Sequence, residues 1–185
     1  LANDYMYSDV NNIMIFPDNH DMSRIYTQLN EDFDKWKMAM TLFFTTRGTL
    51  QFYYGTEILM SNPGTSDHGV IRSDFPGGWE GDAVNAFTGE GLTAQQKEAQ
   101  EYIRTLAHLR RQSCALNMGE MLHYIPLGEV YVYFRTFEQE NIMVLANRNK
   151  EGKTIDLARF SQGLKGATSG ENLITEEKVD LSRGA

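Results

Sequence analysis

Apolar and polar positions follow two different periods along this chain, and the change falls near residue 115. Before that point short apolar runs alternate with helical stripes. "NNIMIF", residues 11–16, is a compact apolar run ending at Pro17 and predicts a buried strand. Residues 30–48 predict a helix. Asn30 is the expected cap, Glu31 and Asp32 suit the positive end of its dipole, and Arg47 with Gly48 close it. Phe33, Trp36, Met40 and Phe43 fall at helical spacing on it. "TLQFYYG", residues 49–55, predicts a second strand. A loop rich in Gly and Pro follows, from Gly55 to Gly91. Residues 92–112 predict the clearest helix. Thr93 and Gln96 form a capping box, and Ala99, Tyr102, Ile103, Leu106 and Leu109 make one stripe.

After residue 115 the period becomes two. In "GEVYVYFRTF" Val130, Val132 and Phe134 alternate with Tyr131, Tyr133 and Arg135, which predicts a strand with one face in and one face out. "NIMVLANR" predicts its neighbour across the turn "EQEN". No helical period returns. The expected class is therefore α/β followed by all-β. Residues 1–115 carry two strand–helix units with parallel strands, and residues 116–185 form a small antiparallel sheet or sandwich. Two such units neither close a barrel nor cover both faces of a sheet. Apolar side chains such as Phe43, Phe44 and Tyr53 are thus expected to be covered by a missing segment, by another chain, by a rearrangement or by the sandwich.

Composition narrows the partners. A net charge of −8 argues against nucleic acid, since phosphate binding needs clustered Lys and Arg. No apolar run approaches the roughly 20 residues that span a bilayer, so no membrane partner is expected. The start "LANDYMYSDV" shows no secretory pattern and leaves the compartment open, periplasmic or cytoplasmic. Cys114 is the single cysteine, which excludes an internal disulfide, and it reads as a plain buried or semi-buried thiol rather than a nucleophile.

The candidate chemistry sits in the two loops that follow the strands, where ligands meet parallel α/β folds. "PDNHDMSR" places Asp18, Asn19, His20, Asp21 and Arg24 after the first strand. A carboxylate beside an imidazole can bond the vicinal hydroxyls of a sugar. The same residues also read as a polar strand-to-loop junction with Asx-turn chemistry. Arg24 reads as a partner of the acidic cluster. The second loop holds Asp67, His68, Arg72, Asp74 and Trp79. Imidazole, carboxylate and indole together suit carbohydrate, and a polar surface loop is the alternative. Tyr53, Tyr54 and Glu57 offer one cleft-lining group among packing residues. No metal-ligand, phosphate-cradle or nucleophile-elbow pattern is present.

"FPDNHD" followed by "GTLQFYYGTEI" resembles the α-amylase family of glycoside hydrolases, particularly its neopullulanase- and cyclomaltodextrinase-like members. That family shows Phe-x-x-Asn-His-Asp after the seventh strand of a (β/α)8 TIM barrel and Pro-Gln-x-Tyr-Tyr-Gly-x-Glu at the eighth. Here Leu50 replaces the Pro. "IRSDFPGGW" is similar to the family's substrate-cleft loop. The resemblance implies the last two barrel units followed by a C-terminal β-sandwich. It implies an α-glucan oligosaccharide as substrate and hydrolysis of α-1,4-glucosidic bonds with retention. It implies Asp21 as transition-state stabiliser, and Asn19, His20, Arg24, Arg72, Asp74 and Trp79 as substrate-binding residues. The nucleophile motif is not matched. "GVIRSD" sets Gly69 and Arg72 one residue too far apart, and Gly78, not His, stands four residues past Asp74. The resemblance thus implies a C-terminal fragment without nucleophile or general acid, inactive alone. No cofactor is expected here, with calcium left to the parent enzyme. The rival reading is a non-catalytic domain that binds carbohydrate or packs against a partner.

Overall fold

A computed structural model describes residues 3–182. The chain divides into two compact units. One comprises Asn12–Phe43 and Thr49–Thr105, the other Leu1–Asn11, Phe44–Gly48 and Leu106–Ala185.

The first unit contains β1 (Met14–Ile15), α1 (Ile25–Gln28), α2 (Phe33–Thr45, whose last turn enters the second unit), β2 (Thr49–Leu50), α3 (His68–Ile71) and most of α4 (Ala94–Gln112). The strands pair in parallel, as their connection by a helix requires, with Met14 opposite Thr49 and Ile15 opposite Leu50. They are shorter than the apolar runs 11–16 and 49–55. Pro17 cannot donate to a ladder, and beyond Gln51 the chain leaves the strand for the long loop. The cap of α2 is Asp32 rather than Asn30. Its Oδ1 accepts the Lys35 N–H at 3.1 Å, while Asn30 and Glu31 both adopt the left-handed φ of 56° in the turn before it. Trp36 and Met40 are wholly buried on the expected stripe of α2. The Thr93 and Gln96 capping box forms as read, with bonds of 3.0 and 3.2 Å. Helices α2 and α4 meet through the Thr41 and Tyr102 hydroxyls, 2.6 Å apart. The long loop has a core of its own, in which Ile58, Ala86 and Leu92 are buried against Met60, Phe75 and Val84. Gly77 is required there. Its φ is 96°, and a Cβ would stand 2.6 Å from Asn85 Oδ1.

The second unit adds α5 (Cys114–Met118), β3 (Glu120–His123), β4 (Val130–Phe137), β5 (Glu140–Asn147), α6 (Ser161–Leu164), β6 (Ser169–Glu171) and β7 (Lys178–Asp180). Strands β3, β4 and β5 form an antiparallel sheet in that order, with Val132 opposite Leu145 and Phe134 opposite Met143, and β6 and β7 form a hairpin. Val130, Val132 and Phe134 pack on Leu157 and Phe160, so the helical turns 157–164 cover one face. The sequence did not signal these turns, because four-residue helices are too short to show a period.

The other face of β4 was expected to meet water, yet Tyr133 and Arg135 are also buried. The Tyr133 hydroxyl bonds Thr45 Oγ1, and Arg135 donates to the Thr45 and Gly119 carbonyls at 3.0 Å. Arg110 donates to the carbonyls of Phe44, Thr46 and Gly48. Two guanidinium groups thus close the negative end of α2, which leaves its last carbonyls without helical partners. Burial, and then the neighbouring Arg110 charge, pulls Arg135 down to about 10, still cationic at neutral pH. Cys114 begins α5 as an exposed residue, contrary to the buried or semi-buried reading.

Of the apolar side chains expected to need cover, Phe44 is buried, and Phe43 and Tyr53 are partly buried. No helix among the described residues is long and apolar enough to cross a membrane.

Candidate functional site

The site is built by the loops that leave β1 and β2, and all of it lies in the first unit. After Pro17 the chain turns through Asp18 and Asn19. Asp18 is fully buried. Its Oδ2 accepts the Ile25 N–H at 2.8 Å, which starts α1, and the Thr56 hydroxyl donates to the same carboxylate at 3.2 Å. Burial raises its pKa despite those donors and the nearby Arg24 charge. Asn19 Oδ1 accepts the Asp21 N–H at 2.8 Å, an Asx turn. The turn chemistry therefore sits in Asp18 and Asn19, and it leaves His20 and Asp21 projecting to the surface.

Asp21 is the centre of a charged cluster. Arg72 Nη2 donates to its Oδ1 at 2.9 Å, and His20 Nε2 lies 3.1 Å from Oδ2. Arg72 Nε donates to the His20 carbonyl at 3.0 Å, and Nη2 also reaches His68 Nδ1 at 2.8 Å. A guanidinium only donates, so His68 Nδ1 is the acceptor in this contact. The Asp21 side chain remains 61% exposed. It is held on two sides and open on the rest, which suits a carboxylate that must accept hydroxyls from a ligand.

Helix α3 brings Arg72 there. Asp67 caps it, accepting the Gly69 N–H at 2.7 Å, and Arg72 is its C-terminal boundary residue. His68 was legible as a loop residue, but its place beside Arg72 follows only from the helical turn between them. Asp74 and Trp79 pair with each other. The indole N–H donates to Asp74 Oδ2 at 3.0 Å and leaves the ring exposed.

Arg24 departs from the expected substrate-binding role. Its side chain is 1% exposed. Nε donates to the Ile71 carbonyl at 3.0 Å, Nη1 donates to the Tyr54 carbonyl, and the guanidinium lies 4.1 Å from the Tyr53 ring centroid. The guanidinium is enclosed by the fold, and its Nη2 is buried with no hydrogen-bond partner among the described residues. The apolar and aromatic residues that pack around it make burial tolerable by supplying carbonyl and π partners. Asn62 is a second buried tie. Its Oδ1 accepts the Arg24 N–H at 2.8 Å, and its amide donates to the Thr65 carbonyl at 2.7 Å. No sequence signal marked Asn62, since its partners are distant in the chain. Glu57, offered as a cleft group, is partly buried, and burial raises its pKa. Among the described residues no group of three or more His, Cys, Asp or Glu stands close enough to hold a metal ion.

These loops stand at the ends of two parallel strands joined through helices, and comparison with known proteins identifies the family that carries them. Residues 2–115 match the family described as alpha amylase, catalytic domain, and residues 121–184 match the cyclo-malto-dextrinase C-terminal domain. The chain belongs to the alpha-amylase family. It is 31% identical to a cyclomaltodextrin glucanotransferase of Geobacillus stearothermophilus over 77% of its length. It is 29% identical to a maltogenic alpha-amylase of Bacillus acidopullulyticus over 96%. It spans 17% of the first relative and 29% of the second. An alpha-amylase from Geobacillus thermoleovorans, solved with acarbose, superposes with a TM-score of 0.73 at 22% identity, over 97% of this chain and 36% of that one. That likeness shows the fold: the end of a TIM-barrel catalytic domain followed by an all-β domain.

Proposed function

We propose that this chain supplies the sugar-gripping side of the cleft in an enzyme that hydrolyses α-1,4-glucosidic bonds of α-glucan oligosaccharides with retention. One observation carries the reading: Asp21 is oriented by His20 and Arg72 at the strand ends while most of its carboxylate stays open. In this reading His20 and Asp21 hold the hydroxyls of the glucosyl unit being cleaved. The Asp21 charge then stabilises the oxocarbenium-like transition state. Arg72 aims that carboxylate, and Trp79, steadied by Asp74, offers its ring face to the next sugar. Asn19 acts through the turn that sets the Asp21 backbone. The nucleophile and general acid of such a double displacement come from barrel segments outside residues 1–185, so this chain by itself turns nothing over. The names of the relatives support an α-glucan substrate, and so does the acarbose bound to the Geobacillus thermoleovorans enzyme.

The test is Asp21→Asn in the intact enzyme that contains this chain, assayed with maltoheptaose. The expected result is a fall in kcat of at least about 100-fold with KM changed much less, because the lost charge acts in the transition state. A loss below about fivefold would overturn the role. NMR of the first-formed product should show the α-anomer, and a β-anomer would overturn retention. The glucanotransferase relatives favour transfer as a second reading, which cyclic or elongated products would establish.

A further inference from the structure

The geometry points to Arg24 as a positioning residue that sets the Asp21 carboxylate through Arg72, an assignment that rests on the sugar-gripping reading of Asp21. Every link is a direct contact. The buried Arg24 guanidinium holds the Ile71 carbonyl with Nε at 3.0 Å, and Ile71 is the residue before Arg72. Arg72 then bonds Asp21 Oδ1 at 2.9 Å and the His20 carbonyl at 3.0 Å. From its other edge Arg24 holds the Tyr54 carbonyl, and the Tyr54 hydroxyl donates to the Ser73 carbonyl at 2.9 Å. The short helix α3 and the residue after Arg72 are therefore both fastened to one buried cation. The Arg24 N–H is itself fixed by Asn62 at 2.8 Å.

The consequence is mechanical. Helix α3 has only four residues, too few to hold itself, so its orientation is set by what its end is tied to. Ile71 is 2% exposed and supplies an apolar anchor, but an apolar contact leaves rotation about the helix axis loosely defined. The Arg24 bond to the Ile71 carbonyl fixes that rotation, and with it the direction in which Arg72 leaves the backbone. A misaimed Arg72 frees Asp21 to turn toward solvent or toward His20 alone. Arg24 is 1% exposed, so its effect on Asp21 passes through the segment that carries Arg72.

Two measurements on the 185-residue chain decide this. The first needs no ligand. In Arg24→Met, amide exchange at Val70, Ile71 and Arg72 should quicken at least about tenfold while the α4 amides hold their protection, and Arg24→Lys should restore part of it. Unchanged exchange at residues 70–72, or a uniform loss that includes α4, overturns the link. The second is a double-mutant cycle read as maltotriose affinity by calorimetry. Arg24→Met and Arg72→Ala should each weaken binding about tenfold, and Arg72→Ala added to Arg24→Met should cost less than about twofold more. Additive losses overturn the assignment, since a purely structural Arg24 would not be coupled to Arg72. If the unaltered chain binds no maltotriose, the proposed function loses its support here, and the exchange measurement alone decides whether Arg24 sets Arg72.

Discussion

Replacing Asp18 separates structural from functional acidity in the polar stretch after β1. The Asp18 side chain is fully buried and accepts from the Ile25 N–H at 2.8 Å and the Thr56 hydroxyl at 3.2 Å. Asp18→Ala leaves both donors buried without a partner, at about 1–3 kcal/mol each. Part of that is recovered because a buried carboxylate, whose pKa is raised by desolvation, is no longer present. The net expectation is about 3 kcal/mol of destabilisation, a fall in Tm of roughly 6–12 °C for a chain of this size. Asp18→Asn keeps an acceptor for Ile25 and turns its amide toward Thr56, which can accept, so it should cost about 1 kcal/mol or less.

The pH dependence of the Asp18 contribution has a definite sign. The folded state holds the Asp18 proton more tightly than the unfolded chain, so folding takes up a proton just above the ordinary value of 3.8. The contribution of Asp18 is therefore greatest below 3.8 and declines as pH rises through the folded value. The stability gap between the unaltered chain and Asp18→Ala should narrow as pH rises over that range. Thermal and urea unfolding of the three proteins from pH 3.5 to 7 would measure it. A gap that widens with pH would mean that Asp18 gains from being charged, and an Asp18→Asn loss equal to that of Asp18→Ala would refute the hydrogen-bond account.

Other outcomes follow from the same structure. Gly163→Ala places a Cβ 2.3 Å from the buried Phe134 ring, and should lower stability by about 1–3 kcal/mol in urea unfolding followed by near-UV circular dichroism. Arg110→Met strips donors from the Phe44, Thr46 and Gly48 carbonyls at the end of α2, and should cost about 1–3 kcal/mol, with amide exchange quickening at residues 44–48 first. Residues 1–185 alone should release no reducing sugar from starch, pullulan or cyclodextrin above background, and clear turnover by a preparation free of other amylases would contradict the proposed division of the active site.

Local chemistry was legible wherever a residue's partner lies within one turn or one strand pair. The Thr93 and Gln96 box and the Trp36 and Met40 stripe follow from patterns a few residues long, and the parallel pairing of β1 with β2 follows from the helix that joins them. The motif containing His20 and Asp21 was equally visible, since both stand in the short loop that follows a strand. The alternation in β4 predicted its strand but not its second buried face, because what covers Tyr133 and Arg135 comes from Thr45 and Gly119, far away in the chain. Arg24 shows the same limit most clearly. An arginine beside an acidic cluster reads as a surface ion-pair partner. Only the return of Tyr54 and Ile71 onto it, through contacts 30 and 47 residues away in sequence, turns it into a buried tie. Sequence alone determined which groups are present and which short elements hold them. Tertiary structure decided which of them meet water, because burial and hydrogen-bond satisfaction depend on distant segments that no local period encodes.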